Sequence, residues 1–233
     1  MNLTLDIGNT AVKWATFEGR DLKDCGYGMP NELLKQAERV LMCTSGNELS
    51  ESLLAETPHA VSLQYGMPLP IEIDYKTPET LGADRVADAC GAVSLHPGEP
   101  CLIIDAGTCI TVDFIDAKGV YHGGAIMPGL RMNLQALHTF TAKLPLIDLE
   151  GVKRAPVLGR STEESILAGT LGATLLALAG YVALYKGKAP DLRVLLTGGD
   201  AENLMTPGIG NGWEHVPNLT LIGLNEILTY NEK

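Results

Sequence analysis

Two stretches of this chain follow one plan: NLTLDIGNTAVKW from Asn2 and CLIIDAGTCITVDF from Cys101. Each is an apolar run ending in an aspartate, then a glycine turn carrying a threonine, then a second alternating run. Period-two alternation on either side of a glycine turn predicts a β-hairpin. The likeness goes beyond the turn. LTLDIG, AVKWATFE and the segment around CGYG predict an antiparallel three-stranded meander over residues 2–28, and CLIIDAG, CITVDFID and VYHGGAIM predict a second, turning at Gly107 and at AKG. Asp-Gly turns are common, so two coincidental motifs are the bland alternative. A restart covering a whole meander points instead to duplicated topology, with a ligand expected in the cleft between the halves.

Elsewhere the period changes. NELLKQAERV, opening with Pro30 and Asn31 as a cap, puts Leu33, Leu34, Ala37 and Val40 on one helical face. VLMCTS reads as a buried strand, NELSESLLAE as a helix ending before Pro58, and HAVSLQ as a strand. Residues 66–80 hold three prolines around one short alternating stretch, and LGADRVADACGAVSL is a helix closed by HPG. Beyond the second meander come the helix PGLRMNLQALHTF, entered through Pro128 and facing the core or a dimer partner, and a long helix from Ser161 to Lys186. Strand LRVLLTGGD, strand NLTLIG and a terminal helix complete the chain. The expected architecture is α/β, with two duplicated domains, 1–98 and 99–233, each holding a mixed sheet.

A formal net charge of -11 argues against a generic polyanion-binding surface and so against a nucleic-acid partner. The five cysteines are spread without a CxxC pair or zinc spacing and read as small core residues of a reducing cytosol. The apolar run from Ile166 to Tyr185 reaches membrane-span length, but its many Ala and Gly residues and the preceding STEES suit a buried helix better. With a strand starting by residue 2 and no leader before it, the expectation is a soluble cytoplasmic protein with no membrane partner.

Glycine turns let backbone N–H groups approach phosphate, and threonine adds a hydroxyl donor. Aspartate would repel phosphate directly, so its presence implies an intervening cation such as Mg²⁺. Two such tips can hold a polyphosphate and its metal. Asp84, just after Gly82 at a helix start, reads either as a carboxylate projecting into a cleft or as a first-turn acid that only stabilises its helix. Arg85 reads as a fork for carboxylate or phosphate, or as a bridge to Asp88. Tyr75 suits packing at a strand edge, and Lys13 faces phosphate or solvent. His122 and His138 read as structural or surface residues.

DIGNT (Asp6 to Thr10), DAGT (Asp105 to Thr108) and TGGD (Thr197 to Asp200) resemble the phosphate and adenosine motifs of the sugar kinase, Hsp70 and actin superfamily, and YKTPETLGADR (Tyr75 to Arg85) resembles the substrate signature of type III pantothenate kinases. The resemblance implies two ribonuclease H-like subdomains and ATP-dependent phosphorylation of pantothenate. It implies that Asp6, Ile7, Gly8, Asn9, Thr10, Ala11, Val12 and Lys13 line the ATP phosphates, with Asp6 near Mg²⁺ and Thr108 also on ATP. Asp84 would be the general base, while Tyr75, Gly82, Ala83, Asp84, Arg85 and Thr162 would hold pantothenate. Asp105 would ligate a monovalent cation, K⁺ or NH₄⁺, Thr197 to Asp200 would meet adenosine, and the enzyme would be a homodimer. The alternatives are a kinase of another small hydroxylated acceptor and a nucleotide-binding regulator of the Bvg accessory factor type.

Overall fold

The computed structural model describes all residues but Asn9, 45–47, Lys153, Ala155, 206–209, Asn211 and Lys233, and of 48–51 the backbone alone. The first meander forms as expected. Strand β1 (Asn2–Ile7) pairs antiparallel with β2 (Val12–Glu18), setting Asp6 opposite Lys13, and β2 pairs with β3 (Asp21–Tyr27). Helix α1 (Asn31–Gln36) is shorter than its apolar spacing predicts. Pro30, not Asn31, is its N-cap residue, Ala37 is already extended, and Val40 belongs to β4 (Arg39–Thr44). Val40 to Cys43 are buried in the sheet, and ladder pairing with neighbours on both sides outweighs the weak helical preference of the segment.

After α2 (Glu48–Glu56), β5 (Ala60–Ser62) joins β4 in parallel, completing a five-stranded mixed sheet in the order β3-β2-β1-β4-β5. Leu3, Leu5 and Ile7 of β1 pack with Leu34, Val40, Met42 and Leu53. The proline-rich linker contains one two-residue strand, β6 (Glu72–Ile73), before α3 (Ala83–Leu95). The second meander is β7 (Cys101–Ala106), β8 (Cys109–Ile115) and β9 (Val120–Pro128), followed by α4 (Leu130–Thr139). With β10 (Arg193–Thr197) and β11 (Glu214–His215), the second sheet has the order β11-β10-β7-β8-β9-β6.

A continuous helix spans Thr162–Lys186, made of α5 (Thr162–Leu167), a π-helical turn (Ala168–Gly172) and α6 (Ala173–Lys186). It is long and apolar enough to cross a membrane, but it is less buried than its composition suggested. Thr174, Leu175, Leu178 and Val182 face the core, while Leu176 and Leu184 are 65% and 68% exposed. Short helix α7 (Ala201–Leu204) precedes β11.

The predicted strand NLTLIG is instead the start of α8 (Leu219–Tyr230), entered through Asn218 in a left-handed conformation, φ 62°. Its Leu-Thr-Leu alternation mimics a strand because the helix is buried on several sides: Leu219, Thr220, Leu221, Gly223 and Leu224 are all buried. Helix α8 packs on α3 through glycines. A Cβ on Gly223 would fall 1.7 Å from the Ala87 carbonyl oxygen, and one on Gly91 would fall 2.8 Å from that of Leu219. Polar ties surround this crossing. Thr220 donates to buried Asp88 at 2.7 Å, Asn2 donates to Asn225, and Glu226 accepts Ser94 and both arms of Arg20.

By internal packing the chain forms two compact units. One comprises Met1–Cys101, Phe114–Gly123 and Asn218–Lys233, and the other Leu102–Asp113 and Gly124–Pro217.

Candidate functional site

In the first unit the acidic loop is built on the sheet register. Asp6, next to last in β1, stands opposite Lys13 on β2 and level with Cys43 on β4. The Cys43 thiol donates to Asp6 Oδ1 at 3.5 Å. Burial raises the Asp6 carboxyl above the usual carboxylate range, Lys13 and the thiol oppose the rise, and the Asp84 carboxylate adds to it. Burial, reinforced by Asp6 and Asp84, pushes the Cys43 thiol well above its ordinary value, so it is a protonated donor and not a nucleophile.

The turn itself is closed by Gly8 N–H donating to the Ala11 carbonyl at 3.1 Å, with Thr10 and Ala11 exposed. Asn9 lies outside the described residues. Ile7 is fully buried and Val12 half-buried, so of Ile7 the backbone alone faces this loop.

Helix α3 begins after Gly82 with no side-chain cap. Asp84 in its first turn is exposed, and its Oδ1 accepts the Arg85 N–H at 2.8 Å. A Cβ on Gly82 would come within 2.5 Å of that oxygen, so glycine gives the carboxylate its room. Ala83 is half-buried beside it. Arg85 is buried, with its guanidinium carbon 6.0 Å from the centre of the Tyr75 ring. Tyr75 in turn packs against Tyr121 of β9, ring centres 6.2 Å apart. This unit therefore brings Lys13 and Asp84 into electrostatic reach of Asp6 and sets Tyr75 against Arg85.

In the second unit the DAGT turn is tighter, with Gly107 N–H donating to the Cys109 carbonyl at 3.0 Å across two residues where the first turn uses four. Asp105 is half-buried against the TGGD loop. A Cβ on Gly198 would lie 2.3 Å from Asp105 Oδ1, Gly198 has φ +94°, and Asp200 N–H donates to the Ala106 carbonyl at 2.9 Å. Glycine at 198 is thus demanded both by the backbone and by the carboxylate beside it. Gly129 is likewise pressed on the exposed Thr108, its N–H donating to the Thr108 carbonyl at 3.1 Å. Thr162 is exposed at the first position of α5, whose N-cap Ser161 accepts from Glu164 N–H at 3.2 Å. Among the described residues no three His, Cys, Asp or Glu side chains are grouped to hold a metal.

Sequence reasoning missed three residues. Cys43 reads as a core cysteine until the parallel register sets it beside Asp6. Arg131 of α4 pairs with Asp200 at 3.3 Å across a sequence separation that leaves no local signal. His122, read as a structural or surface residue, bridges two carboxylates, Asp116 and Asp74.

With this geometry in hand, comparison with known proteins gives consistent matches. The profile of the family described as type III pantothenate kinase matches residues 31–184. A type III pantothenate kinase of Phocaeicola vulgatus is 39% identical over 244 residues, covering 100% of both chains and so including the DIGNT loop that the profile leaves out. Among solved structures, a Baf family protein from Campylobacter jejuni has a TM-score of 0.67 at 20% identity, over 98% of each chain. The activator of 2-hydroxyisocaproyl-CoA dehydratase from Clostridium difficile, with bound ADPNP, has a TM-score of 0.55 at 13% identity, over 99% of this chain and 94% of its own. These likenesses carry the fold: two ribonuclease H-like subdomains of the actin, Hsp70 and sugar kinase type.

Proposed function

This chain belongs to the type III pantothenate kinase family, and from that membership we propose that it transfers the γ-phosphoryl group of ATP to the primary hydroxyl of pantothenate, forming 4'-phosphopantothenate at the first step of coenzyme A synthesis. The observation that carries the residue assignment is the approach of two carboxylates. Asp6 at a desolvated strand end and Asp84 in the first turn of α3 are close enough to repel. One of them meets the nucleotide and its cation, and the other meets the alcohol.

Asp84 is the general base. Its Oδ1 is engaged by the Arg85 N–H, leaving the other oxygen to accept the hydroxyl proton as the alcohol oxygen bonds to the γ-phosphorus and the bond to the ADP oxygen breaks. Asp6, Gly8, Asn9, Thr10, Ala11 and Lys13, with the backbone of Ile7 and Val12, line the phosphates, and Thr108 contacts ATP. Tyr75, Gly82, Ala83, Arg85 and Thr162 hold pantothenate, and the planar fork of Arg85 suits its carboxylate.

The donor sets fit the implied cations. Asp6 offers a desolvated carboxylate beside a second acid, which suits Mg²⁺ held by one or two carboxylates together with substrate phosphates. Asp105 lies in a cradle that a Cβ on Gly198 would fill, which suits K⁺ or NH₄⁺. Bound there, these cations supply charge neutralisation around the triphosphate.

The exposed side of α6, with Leu176, Gly180 and Leu184 in one stripe, supports a homodimer that covers it. We assign the protein to the cytoplasm, where its five cysteines, none of them in a disulfide, stay reduced. The test is ADP release by purified protein with ATP, Mg²⁺ and K⁺, with and without pantothenate. Release that depends on pantothenate and yields its phosphate ester supports the assignment. Release driven only by a different hydroxylated acceptor, or none, rejects it.

A further inference from the structure

We propose that His122 is a positioning residue for the acceptor site: as a cation clamped between Asp74 and Asp116, it fixes the linker segment that presents Tyr75. The proposal rests on the reading of Tyr75 as a pantothenate contact.

The geometry is local to one unit. The linker is tied to β9 by a ladder of only two residue pairs. Glu72 pairs with Val120 and Ile73 with Tyr121, and the flanking bonds run from Glu72 N–H to the Gly119 carbonyl and from Asp74 N–H to the Tyr121 carbonyl, both 2.9 Å. Two residues of strand give little hold at a sheet edge. His122 adds a side-chain clasp at the point where the ladder ends. Its Nδ1 lies 3.3 Å from Asp74 Oδ2 and its Nε2 3.0 Å from Asp116 Oδ2, and its ring stacks on Phe114 of β8. The residue after Asp74 is Tyr75. Its ring is pressed against Gly123, where a Cβ would come within 3.0 Å, and it neighbours both the Tyr121 ring and the Arg85 guanidinium.

Ionised carboxylates only accept, so two of them on opposite ring nitrogens require both N–H groups, which only the imidazolium has. Asp116 is itself held in place by N–H groups of Lys118 and Val120 at 2.9 and 3.0 Å. The groups facing His122 are thus Asp116 from the β8–β9 turn, Asp74 from the linker and the Phe114 ring from β8. The hydrogen bond to Asp116, and to a lesser extent Asp74, raises the His122 pKa, while its partial burial opposes the rise. A histidine with a raised folded pKa keeps its bridge at pH below its ordinary value and loses it as pH climbs through the raised one. Tyr75 is therefore best presented below the raised His122 pKa, and the KM for pantothenate rises as pH climbs through that value while the KM for ATP does not.

The test compares the parent with His122→Ala and His122→Arg, which keeps a permanent cation. At about pH 6.5, His122→Ala is expected to raise the KM for pantothenate about five-fold, with kcat and the KM for ATP changed less than two-fold. His122→Arg is expected to keep a parent-like KM and to hold it flat across the pH range in which the parent value rises, because its guanidinium stays charged. Equal KM values and equal pH profiles in parent and His122→Ala overturn the clamp, as does a parallel loss in both substrates. A second readout needs no substrate: amide exchange at Asp74 is expected to be about ten-fold faster in His122→Ala. Unchanged exchange overturns the clamp whether or not pantothenate is the acceptor. A parent protein without pantothenate turnover sinks the functional reading alone.

Discussion

Replacing Gly223 by alanine tests how the fold places the candidate base. The added Cβ would lie 1.7 Å from the Ala87 carbonyl oxygen, 2.5 Å from its carbon and 2.9 Å from the Gly91 nitrogen, all of them α3 backbone that no rotamer change can move. Real Cβ contacts essentially never fall below 3.0 Å. Helices α3 and α8 must therefore separate or slide by more than about 1 Å. That displacement strains Thr220–Asp88, where a 2.7 Å bond is buried, and the Ser94–Glu226–Arg20 group at the same crossing. Overpacking against rigid backbone costs about 3–4 kcal/mol, and alanine returns about 1 kcal/mol through its better helix propensity. The net loss of about 2–3 kcal/mol corresponds to a Tm lowered by about 5–10 °C in a chain of this size. Because α3 opens with Gly82 to Arg85, the same shift misplaces Asp84, and kcat well below the Tm should fall about ten-fold or more. Thermal unfolding followed by circular dichroism, with initial-rate kinetics, measures both. Gly91→Ala, with its closest backbone contact at 2.8 Å, should lose less. A Gly223→Ala protein melting within about 1 °C of the parent, or one more stable than Gly91→Ala, refutes the argument.

Asp105→Ala removes the carboxylate cradled by Gly198. We expect K⁺ stimulation of turnover to disappear while the fold melts within about 2 °C of the parent, and equal stimulation in both proteins in a salt titration would reject the assignment. Leu184→Glu places a charge in the exposed stripe of α6. Sedimentation should show a dimer converted to monomer, whereas an unchanged sedimentation coefficient would remove that face from the interface.

Both meanders were legible because their signals are local: alternation, a glycine turn, and an aspartate at the strand end. The same locality misled at α8, where burial on several sides erased the helical stripe and left Leu219, Leu221 and Ile222 reading as a strand. In α1 the apolar spacing ran on into β4, since a buried parallel strand and one face of a helix look alike over a few residues. Asp6, Asp84 and Asp105 were singled out through motifs, and their surroundings were not legible there. Cys43 joins Asp6 through strand register, and Asp200 joins Arg131 through tertiary packing. His122 shows the limit most clearly. Asp116 sits six residues before it in the adjoining turn and was within sight, but Asp74 lies 48 residues away and arrives only through the β6–β9 pairing.

The central claim is that Asp84 takes the proton from the acceptor hydroxyl. Asp84→Asn measures it, because the amide oxygen still accepts the Arg85 N–H while the side chain can no longer serve as a base. Under saturating ATP and pantothenate the account predicts kcat lowered about 100-fold or more, with dissociation constants for both substrates changed less than about three-fold by calorimetry. Near-parental turnover in this variant would contradict it.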